Sequence, residues 1–287
     1  MRVTTRNAAF QQWEALLTNR RKRHQLGLLL VQGVRPVSVA LEVAARGDLA
    51  LDAVLHLDAA DPSWWAQDAV SRAVSLGATS YALSAELLAE LAEQDQDRPE
   101  VVLVVVQPSD DLARLPRPAD LLTVVLDRPT NPGNVGSIAR SVDAFGGTGL
   151  VVCGHACDPY EPRAVRASTG SALSVPTVRV GSPHQVLGWV EQARADLGWV
   201  QVLGTDEDGD VELADADLTA PTLVVTGNET RGMSAAWRES CDVVVRIPMH
   251  AQPWSAASSL NAANATSVVL YEAARQRRRT RGVTDRG

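Results

Sequence analysis

Two apolar periods alternate along the first hundred residues. The stretches 10–18 (FQQWEALLT), 37–47 (VSVALEVAARG) and 64–77 (WWAQDAVSRAVSLG) repeat at helical spacing. Residues 25–33 (QLGLLLVQG), 51–58 (LDAVLHLD) and 100–106 (EVVLVVV) are short, continuous runs of strand type. This alternation predicts an α/β domain over residues 1–106. Residues 107–120 (QPSDDLARLPRPAD) gather prolines and aspartates without an apolar period and read as a linker.

The pattern restarts at residue 121. Strands are predicted at 121–127 (LLTVVLD), 148–154, 199–205, 220–229 and 241–249, with helices at 135–146 and 182–198 and a long closing helix over 258–279. Continuous Val/Leu runs joined by helices indicate a mostly parallel sheet covered on both faces, so residues 121–287 form a second α/β domain. Ligands of such sheets sit at the carboxyl ends of the strands. Three segments there, 128–136, 227–232 and 248–259, are expected to converge.

The length of 287 residues accommodates two domains, and 45% apolar against 21% charged residues is an ordinary globular composition. No run approaches the ~20 apolar residues of a membrane helix, and the arginine-rich start lacks an apolar leader. The chain is therefore read as cytoplasmic. Three cysteines argue against a disulfide framework. Cys153 and Cys157 flank His155 without a second ligand pair at zinc spacing, so structural cysteines are favoured over a metal.

The net charge of −7 argues mildly against nucleic acid, but its distribution does not: residues 1–35 hold seven Lys/Arg against one acid, and 275–281 (RQRRRTR) is a second basic run. Phosphate binding and a merely solvated helix face with a frayed tail both account for them.

No glycine-rich dinucleotide loop, Walker loop or nucleophile elbow is present. The segment 131–136 (NPGNVG) instead offers the amides of Asn131 and Asn134, with Gly133 and Gly136 as points of close approach; the plainer reading is a strand-to-helix turn. Arg140, about one turn after Gly136, presents a planar fork suited to phosphate, or pairs with Asp143. Glu229, between Gly227 and Gly232, can orient an arginine, hold a ligand hydroxyl or cap the helix that follows. Ser259 reads as a helix N-cap. Asn261 and Asn264, poor interior helix formers, fall in the first turn beyond it.

Together, NPGNVGSIAR (131–140), VRASTGSALSVP (165–176), TGNETRG (226–232) and IPM (247–249) followed by SSLNAANATSVVLYEAARQ (258–276) resemble the SpoU/TrmH family of the SPOUT superfamily, RNA ribose 2′-O-methyltransferases. The stretch 19–42 resembles that family's substrate-recognition domain, with Gln32 where glutamate is common. The resemblance implies an α/β catalytic domain with a trefoil knot and a smaller ribosomal-protein-like α/β domain before it. It implies S-adenosylmethionine held around Thr226, Gly227, Ile247, Met249, Ser259 and Leu260, catalysis by Asn134, Arg140, Glu229, Ser259 and Asn261, and RNA contacts from Arg20, Arg21, Lys22, Arg23, Arg35, Arg166 and Ser168. It further implies a homodimer. The two-domain layout with its basic N-terminal segment suggests ribosomal RNA ahead of transfer RNA as the substrate, and the cysteine spacing and lack of a long apolar run set aside metal and membrane. A transfer-RNA enzyme and a non-catalytic RNA-binding homologue are the alternatives.

A guanidinium is essentially never deprotonated, so Arg140 is read as an electrostatic stabiliser of the developing 2′-oxyanion and not as a base. Two departures from the family pattern stand out: a longer segment over 247–260 that includes Pro253 and Trp254, and SLNAAN in place of SLNVS.

Overall fold

A computed structural model describes residues 1–92, 99–250, 259–280 and 282. Pro253 and Trp254 lie outside the described residues. In chain order the elements are β1 (Arg2–Val3), α1 (Ala8–Thr18), α2 (Arg20–Leu26), β2 (Leu28–Gln32), α3 (Val34–Ala45), β3 (Leu51–Leu57), α4 (Trp64–Ser75), β4 (Thr79–Leu83), α5 (Ala85–Leu91) and β5 (Val101–Val106). They continue with β6 (Leu122–Asp127), α6 (Pro132–Ala144), β7 (Gly149–Cys153), α7 (Pro162–Ala167), α8 (Ser171–Ser174), β8 (Thr177–Val180), α9 (Pro183–Leu197) and β9 (Gln201–Thr205). The last are β10 (Val211–Glu212), β11 (Thr222–Thr226), α10 (Ala235–Ser240), β12 (Val243–Arg246) and α11 (Ala262–Thr280). Two compact units result, Met1–Ser109 with Asp158–Ser174, and Asp110–Cys157 with Val175–Gly287. Residues 158–174, which the apolar pattern places in the second domain, thus pack with the first unit.

The first unit has a five-stranded sheet ordered β1-β4-β3-β5-β2, in which β5 runs antiparallel to both β2 and β3. Its strands alternate faces at every residue. Leu29, Val31, Leu103 and Val105 join one core with α3 and α4, while Leu30, Val102 and Val104 join the other with Phe10, Trp13 and Leu16 of α1. Both faces are therefore covered, which is why the runs read as continuous. Tyr160, Val165 and Leu173 complete the first of these cores. The basic run 20–23 belongs to a separate short helix, capped by the Asn19 side chain on Lys22 N–H and stopped by Gly27 at φ 63°.

The second unit is a seven-stranded sheet ordered β10-β12-β9-β11-β6-β7-β8, parallel at every pairing. Val125, Val151, Val178, Val202, Leu223 and Val225 fill its core with Trp189 and Trp237. The register sets Thr226 beside Leu126 and Thr205, and Val245 also beside Thr205. The carboxyl ends of β6, β11, β9 and β12 thus align, as ligand-binding parallel sheets require.

Helices α6 and α11 pack together through a 2.7 Å Ser141–Ser267 hydroxyl contact and an edge-on Phe145–Tyr271 pair. The end of α11 is not a frayed tail. Arg277 donates to the carbonyls of Asp120, Leu121, Leu218 and Ala220, which withdraws it from phosphate binding, and Arg275 pairs with Glu272 at the surface of the helix. Arg278 and Arg279 remain exposed. No helix among the described residues is long and apolar enough to cross a membrane.

Candidate active site

The first of the three segments is shorter than the sequence suggests. Helix α6 begins at Pro132, so Gly133 and Gly136 are helical and Arg140 stands about two turns in, not one. The reason is local: the Asn131 Oδ1 accepts from Gly133 N–H at 2.8 Å and Asn134 N–H at 3.4 Å, and Pro132 occupies the first helical position, where its missing N–H costs nothing.

Glu229 does not cap the helix that follows it; it braces the residues just ahead of α6, whose N-cap is Asn131. Its carboxylate accepts from Thr130 N–H (3.3 Å), Thr130 Oγ1 (3.0 Å), Asn131 N–H (3.4 Å) and Asn134 Nδ2 (3.0 Å). Burial opposes its charge, yet the bonds from its own amide, Asn134 and Thr130 outweigh that cost and hold its pKa below the ordinary carboxylate value. The helix dipole favours the same charge.

Asn134 in turn accepts on Oδ1 from Asn261 Nδ2 at 3.1 Å, and Asn261 Oδ1 accepts from Ala263 N–H at 2.9 Å. Asn261, not Ser259, therefore caps α11. Asparagine does this at least as well as serine, which explains its place at the helix start. Ser259 is exposed and makes no hydrogen bond among the described residues. Three chain segments thus meet in one polar chain, Glu229 to Asn134 to Asn261, with both ends of the Asn134 amide occupied.

Arg140 is exposed on the α6 stripe shared with Gly133 and Ser137. Among the described residues its guanidinium has no hydrogen-bond or ion-pair partner, Asp143 included. It is an available cation beside an organised helix start.

Sequence reasoning missed the support beneath this cluster. Arg128 adopts φ 54°, a conformation uncommon for a residue with a Cβ. It forks onto buried Asp127 at 3.1 and 3.0 Å and donates to the Gly232 carbonyl, while its own carbonyl accepts from Asn228 Nδ2. The hydrogen bond to Asp127, against a smaller burial cost, raises the Arg128 pKa. Asp127 also accepts from Ser234 N–H at 2.7 Å. Adjacent acid and base at a strand end were visible in LDRPTN; the positive φ was not.

The residues assigned to the cofactor lie at the same sheet edge. Thr226 is buried with its hydroxyl on Thr266 Oγ1 at 2.8 Å. Gly227 abuts the backbone of Gly232 and Met233, where any Cβ would collide, because Asn228 and Gly232 pair across the loop. Ile247 and Leu260 are half-buried, and Met249 is exposed.

Of the expected RNA contacts, Arg20, Arg21, Lys22, Arg35 and Arg166 are exposed. Two are corrected. Arg23 is only 2% exposed and donates to Asp158 (2.9 Å) and to the carbonyls of Leu16 and Leu17. Ser168 is buried, donating to the Val165 carbonyl and accepting from Gly170 and Ala172 N–H. It shapes a turn in which Thr169 has φ 52° and Gly170 φ 99°, and that turn seats Gly170 against Pro36 and Val39 of α3.

Fold and cluster define a parallel α/β domain with a polar site at its strand ends, joined to a smaller mixed-sheet domain. Residues 121–271 match the SpoU rRNA Methylase family and residues 7–103 the SpoU L30e-like domain; the chain belongs to the SpoU rRNA methylase family. It is 50% identical over 276 residues, 96% of this chain and 92% of the other, to the 23S rRNA (uridine(2479)-2′-O)-methyltransferase of Streptomyces viridochromogenes. The crystal structure of the SpoU methyltransferase AviRb from that organism, in complex with AdoMet, matches with a TM-score of 0.86 at 49% identity, covering 95% of this chain and 98% of that one. An AdoMet-bound rRNA methyltransferase from Sinorhizobium meliloti matches with a TM-score of 0.82 at 25% identity, covering 96% and 97%.

Proposed function

We propose that this chain transfers a methyl group from S-adenosylmethionine to a ribose 2′-hydroxyl of ribosomal RNA. One observation carries the reading: in a SpoU-family chain, like a 23S rRNA 2′-O-methyltransferase over 96% of its length, Glu229, Asn134 and Asn261 form a single hydrogen-bonded chain at the carboxyl ends of the parallel strands.

The residues present fit the cofactor. Half-buried Ile247 and Leu260 and exposed Met249 give apolar surface at the sheet edge, with Thr226 and Gly227 at the end of β11 and Ser259 beside Leu260. When bound, the sulfonium supplies an electrophilic methyl group. The chain's own part is to orient the acceptor and stabilise charge as its hydroxyl loses a proton. The Arg140 guanidinium fork pairs with phosphate and the incipient 2′-oxyanion while water or phosphate takes the proton. Asn134, Glu229 and Asn261 hold the start of the helix that carries it.

The homodimer and the trefoil knot belong to the same reading. Val268 and Tyr271 expose apolar surface on α11, as a self-association face would. A ribosomal RNA substrate sets the work in the cytoplasm.

The test is methyl transfer from labelled S-adenosylmethionine to ribosomal and transfer RNA lacking the modification, followed by digestion to nucleosides. A 2′-O-methylnucleoside from ribosomal RNA is expected, and label confined to transfer RNA or to a base overturns the assignment. Arg140→Ala should lose most transfer while keeping the fold and cofactor affinity; loss of cofactor binding instead would make Arg140 a cofactor residue.

A further inference from the structure

The substrate-binding side of that reading extends beyond the N-terminal basic run. The first unit brings two distant segments together, α2 and the stretch 158–170 around α7. Between them, residues 19–26 and 158–170 hold six Arg/Lys and two acids in a chain of net charge −7. Asp158 is spent on buried Arg23, which also grips the last turn of α1 through the Leu16 and Leu17 carbonyls. Glu161 is held half-buried; burial raises its pKa, with Arg23, Arg163 and Arg20 acting against that and Asp158 reinforcing it. Arg20 and Arg163, 143 positions apart in sequence, thus both act electrostatically on this carboxylate, in the region where the 2.9 Å Arg23–Asp158 contact joins the two segments.

Helical spacing places Arg163 and Arg166 on one face of α7, and both are exposed. Arg20, Arg21 and Lys22 are exposed on α2. Arg20 is exposed about one helical turn before buried Arg23, which makes the contact to Asp158.

We infer that α2 and α7 form one RNA-phosphate surface in which Arg163 and Arg166 act beside Arg20, Arg21 and Lys22, and that the buried Arg23–Asp158 pair positions the two halves. The occupant is RNA backbone, since clustered guanidinium forks match phosphate and the surface belongs to an RNA-modifying chain. Arg163 joins the contact set, while Arg23 acts as a positioning residue and not as a contact. The inference rests on the proposed ribosomal RNA substrate.

The experiment is the binding of an unmodified ribosomal RNA fragment by the full chain across a range of salt concentrations, with Tm recorded for each variant. Arg163→Ala with Arg166→Ala should lower the slope of log affinity against log salt by roughly 1.4–1.8, since each phosphate contact is worth about 0.7–0.9. Arg23→Met with Asp158→Leu replaces the buried pair by apolar groups of similar volume, a change that typically keeps a fold. Because the Leu16 and Leu17 carbonyls and the Tyr160 amide lose their partners, its expected result is weaker RNA binding with a Tm lowered by a few degrees and unchanged cofactor affinity.

An unchanged slope in the surface variant overturns the contacts, and unchanged affinity in the buried-pair variant overturns the positioning role; in both cases wild-type methyl transfer leaves the function standing. Wild-type protein that neither binds nor methylates ribosomal RNA overturns both. A surface variant that loses polyglutamate binding while keeping RNA binding marks an acidic protein as the partner and also overturns the inference.

Discussion

Glu229→Gln isolates the charge at the start of α6. The wild-type carboxylate accepts four hydrogen bonds from Thr130, Asn131 and Asn134. The glutamine carbonyl keeps about two of them and adds no charge. A surface carboxylate at a helix start is worth about 0.3–1 kcal/mol, and each lost exposed bond roughly 0.5 kcal/mol, giving about 1–2 kcal/mol at pH 7. At about 2–4 °C per kcal/mol for a domain of this size, the variant melts several degrees lower.

The pH dependence gives the sharper check on Glu229. Its folded pKa lies below the ordinary value of 4.5, so its contribution is complete above that pH and is lost as pH falls through the folded value. The gap between wild type and variant, read from urea midpoints, should therefore narrow from pH 7 toward the acid limit of folding. A gap that stays constant or widens on acidification refutes the electrostatic account. In parallel, kcat at pH 7 should fall with little change in S-adenosylmethionine affinity, because what is loosened is the orientation of Asn134.

Gly227→Ala drives a Cβ into the backbone of Gly232 and Met233, so a loss of about 1–3 kcal/mol and weaker S-adenosylmethionine binding are expected by thermal melting and calorimetry; an unchanged Tm would show that the loop yields. Arg277→Met leaves four carbonyls without their shared donor and should cost about 2–3 kcal/mol, with faster amide exchange confined to the last turns of α11. Exchange spread evenly over the second unit would contradict that local role.

The legible part of this molecule is the part governed by burial. Val/Leu runs such as 101–106 and 121–127 are continuous because both faces of each sheet are covered, and the alternation of strand and helix follows from that alone. The convergence of 128–136 and 227–232 was readable for the same reason, since parallel strands must end at one edge; residues 251–258 of the third segment lie outside the described residues. What pattern could not supply was the destination of individual cations. Arg23 and Arg277 sit in runs that read as solvated or phosphate-binding, yet one is buried on Asp158 and the other binds four carbonyls. A guanidinium has five donors, and whether they face water or backbone depends on contacts across 135 and 157 residues, which no local period encodes.

The misreading of 128–136 has a more consequential cause. Asparagine, proline and glycine in NPGNVG are loop formers by composition, but in this order Asn131 caps, Pro132 starts and Gly133 follows without resisting the helix. Had the segment been an open loop, the Thr130 and Asn131 amides would have had no fixed direction and Glu229 no reason to be charged there. As a helix start, it aims those amides at one carboxylate, sets Asn134 between Glu229 and Asn261, and carries Arg140 on a rigid rod about two turns further on. Positioning to the tolerance that methyl transfer needs is better supplied by a helix than by a loop. The polar chain and Arg140 thus lie on one element, so on the proposed role of Arg140 loosening the start of α6 is expected to lower kcat through Arg140 even where no contact to Arg140 is changed.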